Sequence, residues 1–294
     1  MVTVGQKKLL EVEADGNKVR LKGVYSPQPE EKRQGLVLLL HGWLGSIEAT
    51  YMLGRGEFLF AHGYSIFRLN MRDHGGTVAL NEGLFHGCRL EEVFQATRQI
   101  AALEPDSPFF VIGFSMGGNF ALRVAWRHSQ DPIANLRHVI ALSPSVNPAQ
   151  ATRAIDNRPT YLHYFRHKWR TNLKAKQAAF PELYDFSHIL RLKTCWALGE
   201  AMVDEYSDFP DVATYYNTYA FTPDKLRPIN IPITIVTAAD DPIIPAADFK
   251  AFVGVNRLAS VIIQPYGGHL GFIDIFPFHY WLNEAILKLL TGKL

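Results

Sequence analysis

The chain has 294 residues, of which 48% are hydrophobic and 20% are charged, and this balance excludes disordered, collagen-like and coiled-coil proteins. Its 30 basic and 28 acidic side chains leave a formal net charge of +2, which gives no electrostatic reason to expect a nucleic-acid partner. The length suffices for one large α/β domain with a sizeable buried core.

The cysteine content and the chain start bear on the cellular compartment. Cys88 and Cys195 are too few for a disulfide framework and lack the Cys-x-x-Cys spacing of a redox or zinc site, so we expect buried free thiols. The first residues lack the apolar run of a secretory signal, and no apolar stretch reaches the length of a membrane span. A soluble, cytoplasmic protein is therefore expected.

The first elements predicted along the chain are two strands at 7–14 and 18–25. They flank Asp15-Gly16-Asn17, a turn signal that predicts an antiparallel hairpin. Six short continuous apolar runs follow, as expected of strands that are covered on both faces. These runs are Leu36–Leu40, Ser65–Leu69, Phe109–Ile112, Val139–Leu142, Ile233–Val236 and Val261–Ile263.

Longer stretches with helical apolar spacing, such as 90–103 and 120–128, separate these runs. The alternation predicts a mostly parallel central sheet with helices on both faces. The interval 144–230 interrupts the rhythm, because it has no clear strand run and holds 14 of the 36 aromatic residues. We interpret it as a helical cap inserted into a core formed by 1–143 and 231–294.

A candidate nucleophile stands between the third apolar run and a helical stretch. Gly113-Phe-Ser115-Met-Gly117 is a Gly-x-Ser-x-Gly sequence, which in this context places a serine on a sharp strand-to-helix turn with its Oγ exposed. A structural turn is one alternative, and a nucleotide-binding Gly-x-Gly-x-x-Gly loop is another. The latter is disfavoured because Ser115 would put a side chain where a pyrophosphate needs bare backbone.

A nucleophilic serine needs a base and an acid, which in such sheets follow in the order Ser, Asp, His. Asp241 and His269 come directly after the last two apolar runs. Asp240 is an alternative acid, since only one of two adjacent carboxylates can point inwards; the following Pro-Ile-Ile-Pro favours Asp241. His41 and His74 also lie at strand ends, but both precede the serine, so His269 is the predicted base.

The oxyanion of an acyl transfer needs two N–H donors. Leu40-His41-Gly42-Trp43 follows the first buried run, and we assign the donors to the backbone N–H groups of Trp43 and Met116. His41 can also hold a tight turn there through hydrogen bonds to the backbone. This chemistry requires no metal and no organic cofactor.

These motifs resemble the α/β-hydrolase superfamily over nearly the whole chain. The features shared with it, in the same order, are His41-Gly42, Gly113-x-Ser115-x-Gly117, Asp241-x-x-Ile-Pro245 and His269. Further features are similar to the YheT-like branch, namely Asn70-Met-Arg72, Asp240-Asp241-Pro242, Gly267–Phe272 and Tyr215-Tyr216. That branch usually carries Arg-Gly-Cys-x-Gly where this chain has Arg72-Asp-His-Gly-Gly76, so substrate details do not carry over.

The predicted function is therefore hydrolysis of carboxylic esters through an acyl-enzyme on Ser115, with apolar short- to medium-chain or lipid-like substrates. A thioesterase or another acyl hydrolase with the same triad is an alternative within the enzyme class. A non-catalytic binding protein on the same fold is the alternative from another class. The oligomeric state is left open by the sequence.

The segment 158–176, which we call the basic aromatic segment, carries six Lys or Arg residues and no acid. Its aromatic stripe packs over the active site with the charges in water, or the segment contacts a membrane surface. The stripe comprises Tyr161, Phe165, Trp169 and Leu173.

His163 and His167 have a spacing that can bind zinc, but the Glu of a His-Glu-x-x-His site and a third ligand are missing.

Overall fold

A computed structural model of the chain describes residues 1–276 and 278–292. An eight-stranded sheet forms its centre, in the order β1-β2-β4-β3-β5-β6-β7-β8. The hairpin β1–β2 is antiparallel and joins β4 antiparallel, whereas the pairs from β4 to β8 are parallel. The strands are β1 (Gln6–Ala14), β2 (Asn17–Ser26), β3 (Gly35–Leu40), β4 (Tyr64–Leu69), β5 (Phe109–Phe114), β6 (Leu136–Leu142), β7 (Ile233–Ala238) and β8 (Ala259–Gln264).

Helices cover both faces of this sheet. Successive side chains of a strand point to opposite faces, so Leu38 of β3 packs with α2 and α3 while Leu39 packs with α1 and α9. The predicted fold class is thereby confirmed. The helices are α1 (Thr50–Ala61), α2 (Leu90–Ala101), α3 (Met116–His128), α4 (Pro148–Asp156), α5 (Pro159–Ala179), α6 (Cys195–Tyr206), α7 (Val212–Tyr219), α8 (Pro223–Leu226) and α9 (Trp281–Leu290).

The apolar runs correspond to strands, with one difference in burial. Every residue of β3, β4, β5 and β7 is buried, which explains their continuous apolar character. The last run belongs to β8, which lies at the sheet edge and is largely half-buried because it has only one neighbouring strand. The assumption of full coverage was wrong for that strand.

A second, two-stranded antiparallel sheet was not predicted. It pairs β9 (Ile273–Ile275) with β10 (Phe278–Tyr280), directly after the loop that carries His269. Each strand has three residues, which is too short for an alternating apolar pattern to stand out in the sequence.

Residues 144–230, all of which the structure describes, contain helices α4–α8 and no strand. They build two small apolar clusters of their own, one around Phe186 and one around Tyr216. Phe221 and Leu226, near the end of the interval, pack into the main core instead. The division into core and cap stays a prediction. Within the described ranges, no helix combines the length and the apolar character needed to cross a membrane.

Candidate active site

Ser115 occupies the sharp turn between β5 and α3. Its backbone has φ 54° and ψ −116°, a strained conformation for a residue with a side chain. The turn is possible because the chain passes very close to itself: a Cβ atom at Gly113 would lie 2.0 Å from the Gly117 oxygen, and one at Gly117 would lie 2.2 Å from the Leu40 oxygen. Both flanking positions therefore require glycine.

The structure brings the three predicted triad residues together. His269 Nε2 lies 3.0 Å from Ser115 Oγ, and His269 Nδ1 lies 2.9 Å from Asp241 Oδ2. Because a carboxylate only accepts hydrogen bonds, it holds the imidazole proton on Nδ1 and leaves the Nε2 lone pair facing the serine hydroxyl. This is the arrangement in which the imidazole can take the Ser115 proton.

The two adjacent carboxylates have different partners. Asp241 has a fully buried side chain, and its Oδ1 accepts hydrogen bonds from the N–H groups of Ile243 and Ile244 at 2.8 and 2.9 Å. Asp240 Oδ1 instead accepts from the N–H groups of Gly267 and Gly268 at 2.9 and 2.8 Å. The geometry thus places Asp241 beside His269, while Asp240 holds the start of the loop that carries His269, which we call the histidine loop.

The two predicted oxyanion donors flank the serine. Met116 opens α3, so its N–H points out of the helix N-terminus without an intrahelical acceptor. Trp43 follows Gly42, where an added Cβ would lie 3.3 Å from Ser115 Cβ. Among the described residues, neither the Trp43 nor the Met116 N–H donates a backbone hydrogen bond. Both donors are thus placed at the serine, and their role stays a prediction.

His41 lies beneath the site and joins two strand ends. Its Nδ1 lies 2.8 Å from the Gly42 oxygen, and its Nε2 accepts the Met71 N–H at 3.2 Å, so the ring must be neutral. Burial lowers the pKa of His41 to about 3. The ring of His74 packs against it at 4.8 Å, and burial lowers the pKa of His74 to about 4. The expected backbone role of His41 is present.

Helix α5 lies directly over the site. The Trp43 ring stacks on Phe165 at 5.4 Å and meets Trp169 edge-on at 4.8 Å. At the start of the helix, Arg158 Nε donates to the Pro242 oxygen, in the loop that carries the acid. The aromatic stripe of the basic aromatic segment thus packs over the loop that carries Trp43, as the first of the two alternatives predicted.

One charge of this segment is not in water, so the prediction was wrong at Lys176. Its side chain is fully buried, and its Nζ donates to Asp73 Oδ1 at 3.0 Å. Three backbone oxygens complete the shell, and Asp73 Oδ2 accepts the Phe85 N–H at 2.8 Å. Burial raises the pKa of Asp73 and lowers that of Lys176, while their mutual attraction opposes both shifts. The three oxygens belong to Val78, Asn81 and Gly83.

The expectation of two buried thiols needs correction. Both cysteines are free, but only Cys195 is buried and Cys88 is half-buried. Burial raises the pKa of Cys195 to about 12 and that of Cys88 to about 11, so both thiols are protonated at neutral pH.

A cavity of about 140 Å³ opens onto the triad. Its size is comparable with that of an engineered cavity of roughly 150 Å³ that binds benzene. Sequence reasoning did not identify most of its wall, because scattered side chains of several helices and loops converge only in the folded chain. Apolar and aromatic residues dominate this wall, among them Leu84, Phe85, Ile155, Met202, Val203, Phe209, Tyr215 and Ile244.

No group of three or more His, Cys, Asp or Glu side chains in the described part of the chain is arranged to hold a metal ion. His163 and His167 lie on one exposed face of α5, with ring centroids 6.4 Å apart. The expectations of no metal and no cofactor stay predictions.

Comparison with known proteins identifies the family of this chain. The profile of the alpha/beta hydrolase family matches residues 37–277. The chain belongs to the alpha/beta hydrolase family. The similar proteins include slr0264 of Synechocystis sp., named as a candidate esterase, with 26% identity over 88% of this chain and 76% of that protein. The mouse phospholipase ABHD3 is 22% identical over 86% of this chain and 62% of its own length.

Solved structures of other proteins share the fold. The esterase Pf2001 of Pyrococcus furiosus superposes with a TM-score of 0.61 at 16% identity, over 98% of this chain and 93% of the other. At this identity the likeness concerns the fold alone.

Proposed function

We propose that the protein hydrolyses carboxylic esters through an acyl-enzyme on Ser115. The observation that carries this proposal is the continuous chain of hydrogen bonds from Asp241 through His269 to Ser115, at 2.9 and 3.0 Å, on the wall of an apolar cavity. The esterase names of similar proteins support a hydrolase activity.

In the first half-reaction, His269 Nε2 takes the hydroxyl proton while Ser115 Oγ attacks the ester carbonyl carbon. The carbonyl oxygen becomes negative and accepts hydrogen bonds from the N–H groups of Trp43 and Met116, each of which contributes about 3–4 kcal/mol in comparable sites. The tetrahedral intermediate then expels the alkoxide, which receives the proton from His269 and leaves as alcohol.

In the second half-reaction, water enters the emptied alcohol position. His269 Nε2 takes a proton from the water, the hydroxide attacks the acyl carbonyl, and the same two N–H groups stabilise the oxyanion. When the intermediate collapses, the proton returns to Ser115 Oγ and the acid is released. Asp241 stays ionised throughout and stabilises the imidazolium that forms in each half-reaction.

The cavity supports apolar substrates of moderate size. Its wall is mainly aliphatic and aromatic, and its volume of about 140 Å³ fits a six-carbon group without rearrangement. Most of this wall comes from 144–230, so we propose that this interval is the cap and sets specificity. The named phospholipase relative supports lipid-like esters as one substrate group.

The test uses p-nitrophenyl esters of increasing acyl length and a fluorophosphonate probe. Ser115→Ala should lower kcat by roughly 10⁶-fold and abolish labelling, because among the described residues only the Ser115 hydroxyl is hydrogen-bonded to His269 Nε2. Ser129→Ala, at the end of α3, is the matched control and should behave as wild type. Circular dichroism should show the same fold for all three proteins. Turnover or labelling that survives Ser115→Ala would refute the assignment.

Two alternatives give different results in the same experiment. A thioesterase would show a higher kcat/KM for an acyl thioester than for the oxygen ester of equal chain length, with the same dependence on Ser115. A binding protein without activity would neither react with the probe nor turn over any ester.

A further inference from the structure

One wall of the cavity contains a histidine that the proposed mechanism does not use. His86 lies on the segment 84–87, which lines the cavity and contacts α7 through Tyr215. Its ring meets Phe209 edge-on at 5.9 Å and Tyr215 edge-on at 6.4 Å. The imidazole is therefore a polar group set among aromatic neighbours.

Both ring nitrogens of His86 lack a hydrogen-bond partner among the described residues. Nδ1 is buried and unpaired, whereas Nε2 is not fully buried. The residue itself lines the cavity. The great majority of buried polar atoms in proteins are paired, so a buried, unpaired imidazole nitrogen at the wall of a cavity needs an explanation. Of the two buried histidines nearby, His41 uses both nitrogens within the protein, whereas His74 pairs Nδ1 with the Arg72 oxygen and leaves its buried Nε2 without a partner among the described residues.

The surroundings determine which nitrogen carries the proton. Burial and three nearby arginines lower the pKa of His86 to about 3, so the ring is neutral at physiological pH. A buried N–H without an acceptor costs more than a bare lone pair, so the hydrogen resides on Nε2. His86 therefore presents an N–H donor to the cavity.

The charges near His86 favour an oxygen acceptor on the ligand. The three arginines are Arg72, Arg89 and Arg123. Arg72 and Arg89 share one carboxylate, Glu92, and Arg123 donates to the Gly87 and Asn119 oxygens without a carboxylate partner among the described residues. The local excess of positive charge stabilises electron-rich atoms at this wall.

We propose that His86 Nε2–H donates a hydrogen bond to an oxygen atom of the substrate outside the scissile ester, so that the enzyme selects esters with an ether, hydroxyl or carbonyl oxygen in one of their chains over hydrocarbon esters of equal size. The proposal rests on the proposed ester hydrolysis. His86 is then a specificity-determining residue, because a cavity that pairs a substrate oxygen penalises the analogue that lacks it.

The test compares isosteric substrates that differ by one CH₂→O exchange. On the acyl side, p-nitrophenyl hexanoate is compared with its analogues carrying the ether oxygen at successive chain positions. On the alcohol side, butyl acetate is compared with 2-methoxyethyl acetate. The measured quantity is the ratio of kcat/KM within each pair, divided by the same ratio in a variant, which cancels the intrinsic reactivity of the esters.

His86→Phe should lower the preference for at least one oxygen-bearing ester by roughly 3- to 10-fold, which corresponds to the net free energy of one hydrogen bond. His86→Gln retains an N–H donor and should restore part of the preference. Phe85→Leu, at the adjacent cavity position, is the matched control: it should change both members of a pair alike and leave their ratio unchanged.

A double ratio near one for every pair, in folded His86→Phe and His86→Gln, would overturn the proposal. That outcome is distinct from failure of the proposed function, because ester turnover would still depend on Ser115. Loss of Ser115 dependence would instead refute the ester hydrolase assignment itself.

Discussion

Asp241→Asn tests whether Asp241 determines which ring nitrogen of His269 carries the proton. Asp241 Oδ1 accepts two backbone N–H bonds at 2.8 and 2.9 Å, so in the variant the amide oxygen must occupy that position. The amide NH₂ then faces His269 Nδ1, where the wild-type Oδ2 accepts at 2.9 Å. Since NH₂ can only donate, the imidazole must move its proton to Nε2, where it can no longer take the Ser115 proton.

The expected loss is large, because the geometry survives and only the tautomer changes. An equivalent exchange in a serine protease lowers kcat by about 10⁴-fold, which corresponds to about 5 kcal/mol of transition-state stabilisation. Steady-state hydrolysis of a p-nitrophenyl ester measures kcat, and thermal unfolding checks that the folded population is unchanged.

Asp240→Asn is the matched control one residue away. Its amide oxygen can still accept both glycine N–H groups, so kcat should stay within about 10-fold of wild type, whereas Asp240→Ala frees the histidine loop and should lose more. The reasoning is refuted if Asp241→Asn keeps a tenth of wild-type activity, or if Asp240→Asn loses as much as Asp241→Asn.

Three other predictions concern the surroundings of the site. Lys176→Met should lower the free energy of unfolding by about 3–5 kcal/mol, because it leaves the Asp73 carboxylate buried without its partner. Since the folded pKa of Asp73 is then raised, this loss should shrink as the pH falls. Equal losses in urea titrations at pH 5 and 7 would contradict this. His41 and His74 have folded pKa values of about 3 and 4, so the unfolded state alone binds protons below pH 6.5, and each histidine should remove about 2 kcal/mol of stability between pH 7 and 5. His74→Gln should reduce the stability lost between pH 7 and 5 by about 2 kcal/mol, and an unchanged loss would show that His74 does not contribute. If the basic aromatic segment contacts membranes, the protein should co-sediment with anionic vesicles at low salt and be released near 0.2 M salt; no sedimentation at low salt would exclude the contact.

Much of the fold was predictable because its signals are local. A buried parallel strand must be apolar on both faces, so β3, β4, β5 and β7 stand out as continuous runs. The turn at Ser115 was equally visible, since the close approach of Gly113 and Gly117 to backbone atoms admits no other residue. The edge strand β8 and the short pair β9–β10 were harder to predict, because burial there is partial and each element is brief.

Side-chain environment was not predictable in the same way. The charge of Lys176 reads as a solvated helix face, yet it is buried because Asp73 and three carbonyl oxygens from a distant loop surround it. His86 belongs to no sequence motif. It is a candidate because it lines the cavity and its Nδ1 is buried without a hydrogen-bond partner among the described residues. Such environments arise from segments that are remote in sequence.

The sequence by itself determined the fold class, the order of the candidate triad and the glycines around Ser115, because strand burial and turn sterics depend on consecutive residues. The tertiary structure decided that Asp241 rather than Asp240 meets His269, since two adjacent carboxylates differ only in direction. It also decided that the aromatic stripe of α5 packs on Trp43. The direction of a side chain is set by the partners that folding brings to it, and no single segment of the sequence contains them.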